Sequence, residues 1–130
     1  MTALPDDVLA LLDGPNIAHV ATLLPNGSPH TVPVWIGIEG DRVAFQTSPG
    51  SRKARNLERD PRVAISLTAH DKPTSMATVR GHVAERLEDD PAWDVIDRLS
   101  HKYIGGPYPL RTDRVVFLIE PDHAWAQNFG

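Results

Sequence analysis

The sequence predicts a mainly β domain of six or seven antiparallel strands closing into a barrel, with short helices at its flanks. Three observations carry this. Apolar and non-core side chains alternate through the apolar segments, as where Val32, Val34, Ile36 and Ile38 interleave with Pro33, Trp35 and Gly37. Tight-turn sequences, Asn26-Gly27 and Glu39-Gly40-Asp41, join consecutive segments, so neighbours run antiparallel. The helical stretches are few and act as punctuation. With 130 residues and no internal repeat, linker or low-complexity segment, one domain over residues 1–130 is expected. A chain of this size buries roughly 65% of its unfolded surface, and closure is the simplest way to remove the edges of a small sheet.

The elements follow in order. Residues 5–12 read as a helix: Pro5 suits its first position, Asp6 and Asp7 its positive end, and Val8, Leu11 and Leu12 share one face. Residues 17–24 form a strand, Pro25-Asn26-Gly27-Ser28 a turn, and residues 30–38 the returning strand. Pro33 cannot donate to a ladder, so an edge or a bulge is expected there. Residues 42–47 make the third strand. After Ser48-Pro49-Gly50, Ser51 caps a two-turn helix over 53–58 that Asp60-Pro61 ends. Val63, Ile65 and Leu67 mark the fourth strand, residues 71–74 a loop, and residues 76–87 a fifth strand with a bulge or bend at Gly81. Asp89-Asp90-Pro91 opens a helix to about Tyr103, with Trp93, Ile96 and Leu99 on one stripe. Residues 104–109, flanked by Tyr103 and Tyr108, form an irregular loop that either covers a pocket or lies on the surface. Residues 115–119 are the sixth strand and 123–128 a short last one.

Composition excludes several classes of function. Without cysteine there are no disulfides, thiolate metal sites or thiol nucleophiles. The six histidines show no i, i+4 pair, so no metal site is expected. The first residues carry Asp6 and Asp7 rather than a basic leader, and no apolar run reaches membrane-spanning length, which predicts a soluble, cytoplasmic protein. A net charge of -4 argues against nucleic acid or an anionic membrane as partner. The G-x-S-x-G, H-E-x-x-H, P-loop and G-x-G-x-x-G motifs are absent, and the acidic residues between Glu85 and Asp97 read as a solvated face. An enzyme of this composition would leave its chemistry to a bound cofactor, so no catalytic side chain is assigned.

The charge is unevenly spread. Arg52, Lys53, Arg55, Arg59 and Arg62 face only Glu58 and Asp60. Gly50 leaves the backbone open, Ser51 offers a hydroxyl, and Arg52 and Lys53 add charge where a helix start presents free N–H groups. That combination is a phosphate cradle. The same residues also suit a capped helix facing water, and the local pattern leaves both readings open.

The wider pattern is more specific. A hairpin, the strand "TVPVWIGI", a turn, the stretch "VAFQTSPGSRKARNLERDPRVAISL" and the later "ATVRGHVAE" resemble the pyridoxamine 5'-phosphate oxidase-like family of FMN-binding split β-barrels. The branch that uses the deazaflavin coenzyme F420 is the most similar, over about Leu9 to the last strand. The resemblance implies that the cofactor phosphate rests on Ser51, Arg52 and Lys53, with Thr47 and Ser48 nearby. It also implies that Pro33, Val34 and Trp35 wall the ring at the interface of a homodimer. The oxidase proper has further basic residues near its C-terminus for a phosphorylated substrate. Here "DHAWAQNFG" offers only His123, Trp125 and Asn128, so that reaction itself is not expected. Trp125 is expected either in the core or against the ring across the dimer.

The function implied is F420-dependent hydride transfer to or from an unsaturated, conjugated small organic molecule. Arg55, Arg59 and Lys72 are the residues expected to serve the polyglutamate tail of F420. The alternatives are an FMN-dependent oxidase or reductase of the same fold, a flavin-binding protein without turnover, and a small interaction domain whose basic helix faces water.

Overall fold

Alternating burial along the chain resolves into seven strands and three helices in a computed structural model that describes residues 3–130. The strands are β1 (Ile17–Leu23), β2 (Pro29–Trp35), β3 (Gly37–Glu39), β4 (Arg42–Thr47), β5 (Arg62–Ala69), β6 (Lys72–Leu87) and β7 (Val115–Asn128). The helices are α1 (Asp6–Asp13), α2 (Arg52–Arg59) and α3 (Asp89–Ile104). All strand pairs are antiparallel in one sheet of order β2-β1-β5-β6-β7-β4-β3. The two edge strands, β2 and β3, are separated in the chain by Ile36 alone. The sheet therefore has to curl until its edges approach, which makes a half-barrel split at that corner.

The interior is lined by one face of each strand. Phe45 and Phe117 pair across β4 and β7 with ring centroids 5.6 Å apart, among Val20, Ile36, Val43, Ile65, Val79 and Ile119, all essentially buried. Helix α1 closes one end with Val8, Leu11 and Leu12. Helix α3 instead packs Ala92, Val95, Ile96 and Leu99 on the opposite face of β4 and β7, against Ala44, Val116 and Leu118. Trp93 lies half-buried at the edge of that second cluster.

Three elements differ from the sequence expectation. The strand expected over 30–38 is broken at Ile36, because the backbone of that residue bonds to α3 rather than to a ladder. The expected sixth and last strands are one continuous β7. Pro121 does not end it because it faces Gly81 at a register shift in β6, where a missing donor costs little. The loop expected over 71–74 shrinks to a turn, since β6 already begins at Lys72. The bulge expected at Gly81 is present, and a Cβ built there would lie 2.2 Å from the Glu120 carbonyl oxygen. Pro33 sits, as an edge residue should, on the outermost strand β2.

The outer face of the sheet carries the cross-strand row His19, Ser66, Thr78 and Trp125, one residue from each of β1, β5, β6 and β7. Ser66 and Thr78 at the middle of the row are small, and Ile17 and Trp125 are left 45% and 43% exposed. Grooves of 560 and 330 Å³ run along this face. Among the described residues, no helix is long and apolar enough to cross a membrane, and no three His, Asp or Glu side chains gather as a metal site.

Candidate functional site

The site grows from the turn between β4 and α2. Thr47 ends β4, and its hydroxyl donates to the Ser51 hydroxyl at 2.9 Å; Ser51 in turn accepts from the Ala54 N–H at 3.2 Å as the N-cap of α2. The Ser51 N–H returns to the Ser48 carbonyl at 3.1 Å, which tightens the turn. Nothing lies within 4 Å of a Cβ built on Gly50, so the backbone there stands open. The first turn of α2 contains no acidic residue, leaving its positive end uncompensated.

Lys53 rises from that turn into a cleft of 250 Å³. Its walls are Pro33, Val34 and Trp35 from β2, Gln46 and Thr47 from β4, and Tyr108 and Arg114 from the segment ahead of β7. Arg114 donates from Nη2 to the Tyr108 hydroxyl at 2.9 Å and stands 5.1 Å from the centre of that ring. The Trp35 indole lies edge-on to Tyr108, with centroids 6.1 Å apart at 89°.

The electrostatics are lopsided. Burial, and then the neighbouring Arg114 guanidinium, push the Lys53 ammonium below its ordinary value. No carboxylate lines the cleft to compensate them. Two polar atoms at the site, Gln46 Oε1 and Arg114 Nε, are buried without a hydrogen-bond partner. Unpaired cations and orphaned polar groups are costly to bury, and an anion with further polar atoms would relieve both defects. The donor set therefore fits a phosphate-bearing ligand, and the Pro33, Val34 and Trp35 wall fits a flat ring.

Of the residues singled out from the sequence, Pro33, Val34, Trp35, Thr47 and Lys53 line this cleft together. Ser48 and Ser51 form the turn behind it, with the Ser51 hydroxyl already engaged as a cap. Arg52 stands exposed on the first turn of α2. Gln46 and Arg114 are lining residues that the sequence reading missed. Arg114 lies far along the chain from the cradle, and its one local sign is a second arginine, Arg111, in the same polar stretch. The cations assigned to a polyglutamate tail do not gather. Arg59 donates to the Leu23 carbonyl, and Lys72 opens β6 opposite Ala69, the end of β5 that lies about 23 Å from Arg62 by strand rise.

The fold is that of a split β-barrel, and its cleft sets two cations beside an aromatic wall. The chain belongs to the pyridoxamine 5'-phosphate oxidase family, whose sequence profile matches residues 4–128. Its fold is shared by an F420 reductase at 29% identity and a TM-score of 0.82, over 94% of this chain and 98% of that one. A conserved hypothetical protein of Mycobacterium tuberculosis superposes at 23% identity and 0.78, over 98% and 90% of the two chains. General Stress Protein 26 of Bacillus anthracis does so at 18% and 0.73, over 94% and 92%. No curated protein matches the chain. The family is one of oxidoreductases that work with a flavin-type cofactor.

Proposed function

We propose that this chain is an F420-dependent oxidoreductase acting on a conjugated, unsaturated small molecule, with its sites at the interface of a homodimer. The observation that carries the reading is the Lys53 and Arg114 pair, two cations facing one another in a ring-walled cleft without a carboxylate. When bound, the reduced deazaflavin supplies a hydride from its C5, and solvent supplies the proton that completes reduction of the substrate. The protein's own part is placement. Lys53 and Arg114 hold the phosphate, and the start of α2 adds its partial charge. Gln46 and the Arg114 Nε–H offer an acceptor and a donor to the rest of the ligand, while Pro33, Val34 and Trp35 exclude water from the ring.

FMN is the second reading, favoured by the dispersal of Arg59 and Lys72, which leaves the tail of F420 few cations within one chain. The homodimer is supported by register. Trp35 of the ring wall pairs directly with Ile17, so the cleft runs into the exposed apolar face of the sheet. Visible absorbance titration of the purified protein with F420 and with FMN tests the assignment. Saturable binding of F420, tighter than FMN, is expected; tighter binding of FMN at every salt concentration transfers the proposal to FMN, and binding of neither refutes it.

A further inference from the structure

The wall of the cleft has a support outside the cleft. Ile36 stands between β2 and β3, and its backbone groups are taken by α3. Its N–H donates to the Tyr103 hydroxyl at 3.0 Å, and its carbonyl accepts from the Lys102 ammonium. Tyr103 donates its own proton to the Asn16 carbonyl at 2.6 Å, while Lys102 also reaches the Leu12 carbonyl at 3.0 Å. Asn16, only 4% exposed, carries the connection onward by donating to the Leu11 carbonyl and accepting from the His70 N–H. The Tyr103 ring lies flat on the Trp35 indole, with centroids 5.0 Å apart and planes within 7°. Tyr103 itself is not among the residues lining the cleft.

We propose that Tyr103 is a positioning residue for the cleft: its ring fixes the Trp35 indole, and its hydroxyl anchors the corner that carries Trp35 to Asn16. The proposal rests on the reading of the cleft as a cofactor site. A side chain held in place before the ligand arrives does not have to be ordered on binding. Losing that preorganisation for one side chain costs about two- to tenfold in affinity.

The test uses a chain in which Trp93→Phe and Trp125→Phe leave Trp35 as the sole indole. Tyr103→Phe and Tyr103→Leu are compared in that background by Trp35 fluorescence anisotropy, near-ultraviolet circular dichroism, and affinity for F420 and FMN. Tyr103→Leu is expected to free the indole, abolish the coupled aromatic signal and weaken binding about two- to tenfold. Tyr103→Phe, which keeps the ring and loses the hydroxyl, should fall between it and the parent in all three. Should Tyr103→Leu fail to fold, Tyr103→Phe decides alone. Parent-like anisotropy and affinity in Tyr103→Phe would overturn the proposal, as would a freed indole with unchanged affinity in Tyr103→Leu. A parent that binds neither cofactor sinks the cofactor reading instead, and indole mobility then still decides whether Tyr103 fixes Trp35.

Discussion

Lys53 is the residue at which stability and binding should part. In the free protein its charge is desolvated and repelled by Arg114, so Lys53→Ala removes a strained group and should leave the apo melting temperature unchanged or raised. On the proposed reading the same change also removes a charge-assisted bond to the ligand and should weaken cofactor binding about ten- to hundredfold. Arg98→Ala is the control of equal charge change, since Arg98 pairs with Glu39 at the surface, away from both the cleft and the open face of the sheet. Melting and affinity that fall together in Lys53→Ala would mark Lys53 as structural. Proton linkage offers a second check. A phosphate beside Lys53 raises the depressed ammonium back toward its ordinary value, so binding should take up protons as pH rises through the free-state value, and affinity should fall over that window. Calorimetry in buffers of different ionisation enthalpy reads the uptake directly. That Lys53 enters the cleft was legible because the pattern is local, a turn, a cap and two cations in consecutive residues. Arg114 was not, because the fold alone brings it opposite Lys53.

At the scale of elements, what escaped the sequence was tertiary in origin. The alternation over 30–38 reads as one strand, and nothing in those residues announces that α3 will take the backbone of Ile36. The residues between the strands expected over 115–119 and 123–128 include Pro121, which stays in one continuous β7 because Gly81 lies opposite it. That bulge admits a direct test. Gly81→Ala places a methyl 2.2 Å from the Glu120 carbonyl, backbone that cannot swing away, and should cost about 1–3 kcal/mol in denaturant unfolding. Gly50→Ala, with open space at the same position, should cost little; equal losses at the two sites would refute the steric account. The α3 end also sets a pH dependence. Burial pulls the Lys102 ammonium down to about 8, against the opposing pull of the Asp13 carboxylate. Between about 8 and the unfolded value near 10.4 the native chain gives up this proton while the unfolded chain keeps it, so stability gains a rising contribution with pH there. Lys53 is shifted in the same sense. Tyr103, whose hydroxyl burial pushes up, adds a falling contribution once unfolded tyrosines ionise near 10. Lys102→Met should therefore flatten the rise of stability between about pH 8 and 10. A slope identical to that of the parent would show that this ammonium is not desolvated.

The whole molecule is a sheet with one face left open. Helix α1 plugs the interior and α3 covers the outer side of β4 and β7, while the row from His19 to Trp125 is left without a covering helix. Apolar grooves of 560 and 330 Å³ on such a face, with Ile17 and Trp125 beside them, suit a second copy packed by a two-fold axis, a contact that needs about 800 Å² from each partner. Strand alternation made this face legible as the opposite of the core, but its lack of a cover appears only once the helices are placed. In the proposed dimer the pairing of Ile17 with Trp35 would tie assembly to the cleft, because a partner seated over Ile17 would border Trp35. Trp125→Glu places a charge on that face, at the β7 end of the row, where burial without a partner is costly. Sedimentation should show the parent as a dimer and Trp125→Glu as a monomer that still melts cooperatively, since Trp125 is exposed in the single chain. Cofactor affinity should fall in the monomer although no residue of the Lys53 cleft has changed. A Trp125→Glu monomer that binds as tightly as the parent would separate assembly from the site, leaving the cleft complete within one chain.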